Sequence, residues 1–189
     1  MQNLSSRVNY VASRAARFAA ALAAAACIAG SASAQDALAV NFVAIDDKLH
    51  TAGQPDEAAL ATLGSRGYGL VVNLAPPGVT PAKEAEILAE AGVRYVNIPV
   101  DWRNPTAEDF AAFSRALAGA DGARVLVHCQ MNMRASVFTF LHRVTHDGAD
   151  PAEAYKAVAA VWTPNGRWAE LAREVLKTHA VDFDLPAGR

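Results

Sequence analysis

The apolar run Val125-Leu126-Val127, bounded by Arg124 and His128, limits what this chain can fold into more than any other stretch. An apolar run without alternation reads as a short strand buried on both faces. Such strands belong to parallel sheets covered by helices on either side. The surrounding pattern agrees, because short apolar strands alternate with segments of helical period. That alternation predicts an α/β fold with a small, parallel-type central sheet flanked by helices. Strands are expected over 41–46 and 48–51, around a turn at Asp46-Asp47, then over 68–74, 93–100 and 124–128. Helices are expected over 56–66, 80–91, 106–118, 134–146, 150–161 and 167–179. Thr80 would cap the second of these with Pro81 in its first turn, and Thr106-Ala-Glu-Asp109 would cap the third.

Residues 1–34 stand apart from this alternation. Arg7, Arg14 and Arg17 make a positive start, residues 18–30 an alanine-rich apolar stretch, and Ala32-Ser33-Ala34 a small-residue cleavage site before Gln35. That is the pattern of a secretory signal peptide. The apolar run is short for a membrane span, and no later segment approaches one. Cys27 lies within it, but Ala24-Ala25-Ala26 lacks the branched residue expected three positions before a lipid-bearing cysteine. Residues 35–189 would then be a single periplasmic or secreted domain. They carry 14 basic against 19 acidic residues, a formal charge of −5. No basic cluster appears, so neither nucleic acid nor, after signal cleavage, a membrane is expected as a partner. With Cys27 removed, Cys129 is the one remaining thiol and has no internal partner. An unpaired cysteine in an exported protein points to intermolecular pairing or to a reactive thiol, and we take the second reading.

The expected strand 124–128 delivers Cys129 to its carboxyl end, where parallel sheets bind their ligands. A tight loop, Gln130-Met131-Asn132-Met133, leads to Arg134 and a helix. A thiol so placed meets unpaired N–H groups, the positive end of the helix dipole and a guanidinium, all of which favour the thiolate. The same groups make a socket for a tetrahedral oxyanion. Asp101 also follows a strand end, 28 positions before the cysteine, so it can share the crevice.

With His128-Cys129, Arg134 and Asp101 in this arrangement, the chain resembles the cysteine-dependent protein phosphatases of the compact dual-specificity type. It is more closely similar to the bacterial phosphatase-like domain of beta-lactamase-hydrolase-like proteins. Gly53-Gln54-Pro55 and the four residues between Cys129 and Arg134 carry that closer likeness. The resemblance implies that Cys129 attacks phosphorus and holds a phosphocysteine, while Arg134 grips the equatorial oxygens. It implies that Asp101 protonates the leaving oxygen and then activates water. His128 would orient the loop, and residues 130–134 would cradle phosphate. Substrates would be a phosphorylated protein or a small phosphomonoester, with no metal or organic cofactor.

Two positions depart from the usual phosphatase pattern. Asn132 stands where the group's glycine would sit, and asparagine is the side chain that best tolerates left-handed backbone. Ala135 follows the arginine where a hydroxyl is usual; counted from Cys129 instead, Ser136 takes that place and Arg134 arrives one position early. Two other readings therefore stay open. Rhodanese-like sulfur transfer suits a four-residue loop, and a catalytically weak anion- or phospho-binding module would keep the socket without turnover. Asp109 is a rival acid, explained equally by its place in a helix's first turn. Met131 and Met133 wall a pocket or simply pack. Trp102 lines the mouth of the site or anchors its loop, and Gln54 reaches the crevice or shapes a turn. Trp162 and Trp168 pin the last helix. His142 and His146 have the spacing of a metal pair but no evident third ligand. A single Arg and no Lys in the loop argue against polyanionic substrates.

Overall fold

The computed structural model describes residues 38–186. The signal peptide expected over 1–34 lies outside them. The sheet has five strands, β1 (Val43–Ala44), β2 (Leu49–Ala52), β3 (Tyr68–Asn73), β4 (Arg94–Asn97) and β5 (Arg124–His128), in the spatial order β1-β2-β5-β3-β4. β5 is central, parallel to both β2 and β3, and β4 extends the parallel set from β3. Only β1 is antiparallel, joined to β2 through a turn in which Asp46 Oδ1 accepts from Lys48 N and Leu49 N. The expected parallel-type sheet is present, with one short antiparallel strand at its edge.

Alternation along the strands sorts their side chains between two layers. Leu70 and Val72 of β3, with Val125 and Val127 of β5, face α3 (Ala107–Ala118), α4 (Met133–Thr145), α5 (Pro151–Ala159) and α6 (Gly166–Thr178). Val71 and Leu126 face the other way, against α1 (Glu57–Thr62) and α2 (Glu84–Glu90). β5 is thus covered on both faces, as its unbroken apolar run demands. Local chemistry sets most helix starts. Asp56 caps α1 through Ala59 N at 2.7 Å, and Thr106 and Asp109 form a reciprocal capping box at the start of α3. Among the described residues, no helix is long and apolar enough to cross a membrane.

Four elements differ most in extent from expectation: β1 and α1 are shorter than 41–46 and 56–66. β4 is shorter than 93–100, although Ile98 N and Val100 N still donate to Asn73 O and Leu74 O as the chain leaves the sheet. α2 begins at Glu84 rather than behind Thr80 and Pro81. Residue 83 occupies the cap position without a side-chain bond, and Pro81 O closes a turn by accepting from Glu84 N. The reason lies in Glu84 itself, whose side chain turns into the protein and is 2% exposed. Four polar side chains hold it inward, and the helix begins at this anchored residue.

Candidate active site

The last residue of β5, His128, lies in register between Ala52 of β2 and Asn73 of β3. Cys129 follows at the strand's carboxyl end, buried beneath the start of α4. The first intrahelical bond of α4 runs from Ser136 N to Asn132 O. The N–H groups of Met133, Arg134 and Ala135 at the helix mouth therefore have no intrahelical acceptor. Cys129, Gln130, Met131, Met133, Arg134 and Trp102 line one open cavity of about 320 Å³. The strand–loop–helix passage thus brings thiol, guanidinium and helix N-terminus to a single place.

The loop between Cys129 and Arg134 is anchored from behind. Asn132 adopts φ 65°, the left-handed conformation expected for the residue replacing glycine. Its side chain points inward, and Nδ2 donates to Asn41 O at 2.6 Å and to Thr51 Oγ1 at 2.9 Å. Asn41 Nδ2 in turn donates to Met131 O at 3.0 Å. Gly53 pairs with Met131, and Gln54 N donates to Gln130 O at 3.1 Å. A Cβ on Gly53 would lie 2.8 Å from Gln130 O and 2.9 Å from Val40 O, so only glycine allows this approach. Gly53-Gln54-Pro55 is therefore the backing of the loop. The Gln54 side chain does not line the cavity.

Under the loop lies a polar network that sequence reasoning missed. Glu84 Oε1 sits 2.9 Å from His128 Nε2 and accepts from Gln54 Nε2 at 3.1 Å. Oε2 accepts from Asn73 Nδ2 at 2.8 Å and from Tyr95 OH at 3.1 Å. The His128 contact is close rather than well aligned, and the ring's Nδ1 has no partner among the described residues. Burial pushes the Glu84 carboxyl up, but His128 and the hydrogen bonds from Gln54 and Tyr95 outweigh it and hold it below the ordinary value. Burial drives the Tyr95 phenol up to about 12, with the Glu84 charge adding to the effect. A glutamate three residues after a proline, opening a helix, reads as dipole compensation; its burial is a tertiary fact that carries no local signal.

Arg134 is 6% exposed, yet among the described residues no carboxylate lies within ion-pair distance of it. Its Nε donates to Val100 O at 3.0 Å, and its guanidinium carbon lies 5.4 Å from the centre of the Trp102 ring. Trp102 both anchors and lines. Its carbonyl accepts from Trp168 Nε1 at 3.0 Å, its ring packs against those of Trp162 and Trp168, and it remains 38% exposed at the cavity. Trp162 Nε1 reaches Met133 O at 3.2 Å, so the tryptophans tie the 100–105 loop and the mouth of α4 to the last helix. Met131 stands 48% exposed on the cavity rim.

Other predicted residues lie less directly at the site. Asp101, between Val100 and Trp102, is exposed, and its Oδ1 accepts from Arg103 N at 2.9 Å. It is not among the residues lining the cavity. Ser136 is buried and donates to Met133 O at 3.0 Å, within its own helix. Asp109 is occupied by its capping box. His142 and His146 stack at 4.7 Å, and no group of three metal-ligating side chains occurs among the described residues.

This architecture is that of known phosphatase-type proteins. A crystal structure from Shewanella putrefaciens, named as a candidate phosphatase, superposes with a TM-score of 0.67 at 31% identity, covering 74% of this chain and 93% of that one. A cysteine-to-serine form of Pseudomonas aeruginosa TpbA, solved with phosphotyrosine, shares the fold at 18% identity with a TM-score of 0.53, covering 73% of this chain and 82% of that one. The beta-lactamase hydrolase-like protein of Xylella fastidiosa is 36% identical over 110 residues, 56% of this chain but only 25% of that protein's length. The chain therefore matches about a quarter of this curated relative. The profile of one family covers residues 41–145, from the asparagine behind the loop to the last turn of α4, and the chain belongs to that family: the phosphatase-like domain of beta-lactamase hydrolase-like proteins.

Proposed function

We propose that this phosphatase-type domain hydrolyses phosphomonoesters through a phosphocysteine on Cys129. The observation that carries the reading is Arg134, a buried guanidinium without a counter-ion among the described residues, lining the same cavity as Cys129. Burying an unpaired cation is costly, and a bound dianion at the N-terminus of α4 would offset that cost. Cys129 would attack phosphorus and expel the alcohol. Arg134 and the N–H groups of residues 133–135 would hold the equatorial oxygens as charge builds. Asp101 would give its proton to the leaving oxygen and then take one from the attacking water. Its exposure suits an acid that meets the substrate only at the cavity mouth.

The substrate side follows from the cavity wall. Trp102 and the two methionines offer an apolar surface, and among the described residues Arg134 is the only cation lining it. That favours a phosphate on an aryl or apolar carrier, either a phosphorylated protein side chain or a small monoester. The Pseudomonas relative solved with phosphotyrosine supports the same class. We also propose export to the periplasm or beyond, on the strength of the 1–34 pattern. N-terminal sequencing of the exported protein should then begin at Gln35.

Phosphate release from an aryl phosphate by reduced protein lacking residues 1–34 tests the reading, beside a Cys129→Ser control. Release that disappears in the control supports it. Release that survives in Cys129→Ser removes the cysteine from the mechanism. No release from either would leave anion binding or sulfur transfer, and thiosulfate with cyanide is the assay for the latter.

A further inference from the structure

Glu84 touches neither the cavity nor any proposed substrate atom, yet it is among the most completely buried side chains. An apolar residue would fill that space without the cost of desolvating a carboxylate. The charge is instead met by four polar side chains from four segments: His128 at the end of β5, Gln54 before α1, Asn73 at the end of β3, and Tyr95 in β4. Two of these lead straight to the nucleophile's loop. His128 is bonded to Cys129 through the chain, and the backbone N–H of Gln54 holds Gln130 O. The titratable groups against Glu84 among the described residues are His128 and Tyr95; Gln54 and Asn73 are neutral. One carboxylate thus clamps the base of the loop and its backing together.

We propose that Glu84 is a positioning residue of this site, acting through His128 and Gln54 to keep the Cys129 sulfur at the mouth of α4 beside Arg134. The proposal rests on the phosphatase reading for its kinetic consequence, but not for its effect on the thiol. Loosening the clamp would carry the sulfur away from the helix N–H groups and the guanidinium, which stabilise the thiolate. The thiol would then ionise at higher pH. If Glu84 acted only as a nearby negative charge, its removal would shift that ionisation to lower pH. The two roles have opposite signs.

The experiment measures Cys129 alkylation by iodoacetamide against pH in the wild-type protein and in Glu84→Gln, alongside kcat and KM on an aryl phosphate. Circular dichroism and thermal melting check the fold. In folded Glu84→Gln, the half-point of alkylation should move to higher pH. KM should stay within about twofold while kcat falls at least ~10-fold, within the cost of a small misplacement. Glu84→Asp, which restores the charge on a shorter arm, should recover part of both. A half-point that is unmoved or lowered, with kcat within about twofold, would overturn the proposal. If the wild-type protein releases no phosphate, the phosphatase reading fails by itself, and the alkylation shift still decides the role of Glu84. If Glu84→Gln does not fold, the milder Gln54→Met cuts one arm of the clamp, and the same shift, smaller in size, is expected of it; no shift there would equally overturn the proposal.

Discussion

Two stretches of chain meet at Arg134, and they are held in different ways. The segment 128–134 is tied from below by Glu84 and from behind by Gly53, Gln54, Asn41 and the inward-turned Asn132. The segment 100–105 is held by its backbone and by tryptophan rings. Arg134 Nε bonds Val100 O and Trp168 Nε1 bonds Trp102 O, while the Asp101 carboxylate closes a local turn in open solvent. The first segment is tied down by buried polar contacts from several segments of the chain; the second leaves the Asp101 carboxylate exposed. On the proposed mechanism, anion binding and proton transfer would therefore rest on parts of the molecule that are held differently. Substitutions under the cysteine should cost folding free energy, whereas substitutions at Asp101 should cost only chemistry.

The largest effect expected is on stability. Glu84→Ala leaves His128, Asn73, Gln54 and Tyr95 without their common acceptor, and breaking a buried pair of this kind costs about 3–5 kcal/mol. The pH dependence has a definite sign. The Glu84 carboxyl is held below its ordinary value of 4.5, so its contribution is fully present above that pH. It is lost as pH falls through the lowered folded value. Urea unfolding across this acidic range should show a stability loss in the wild-type protein that is smaller in Glu84→Ala. Equal stability of the two proteins at neutral pH would erase the contrast between the two segments.

Asp101→Asn probes the other side. Its rate on an alkyl phosphate should fall about 10²-fold, while a good aryl leaving group is affected much less. Its stability should stay within about 0.5 kcal/mol of wild type, since the side chain is exposed. An unchanged alkyl phosphate rate would show that the acid lies elsewhere. Gly53→Ala should have the smallest effect, a loss of about 1–3 kcal/mol from forcing the loop off its backing. Because Gln130 O is one of the atoms a Cβ would crowd, beside Val40, the variant should also alkylate more slowly at Cys129 than wild type at neutral pH. A destabilised variant with unaltered alkylation would mean that the backing does not reach the thiol.

Much of this was legible from local pattern. The run 125–127 announces a central strand because burial on both faces leaves no alternation. Cys129 and Arg134 then fall at a strand end and a helix start by necessity. Asn132 was readable as a left-handed position, since few other side chains tolerate one. Glu84 was not readable, because a glutamate opening a helix already has a sufficient local explanation, and its inward turn depends on partners 11 to 44 residues away in the chain. The late start of α2 has the same cause. The place of Asp101 was only half legible: it lies beside Trp102 four residues past β4, but its carboxylate turns to Arg103 N rather than lining the cavity.

If Cys129 carries the phosphoryl group during turnover, the group can be trapped there. Wild-type protein mixed with an aryl phosphate, quenched in acid within the first turnovers and digested, should yield the Cys129 peptide heavier by one phosphoryl group. The adduct should be absent from Cys129→Ser. Phosphate release at full rate with no adduct on that peptide, or with the adduct on another residue, would rule out Cys129 as the nucleophile.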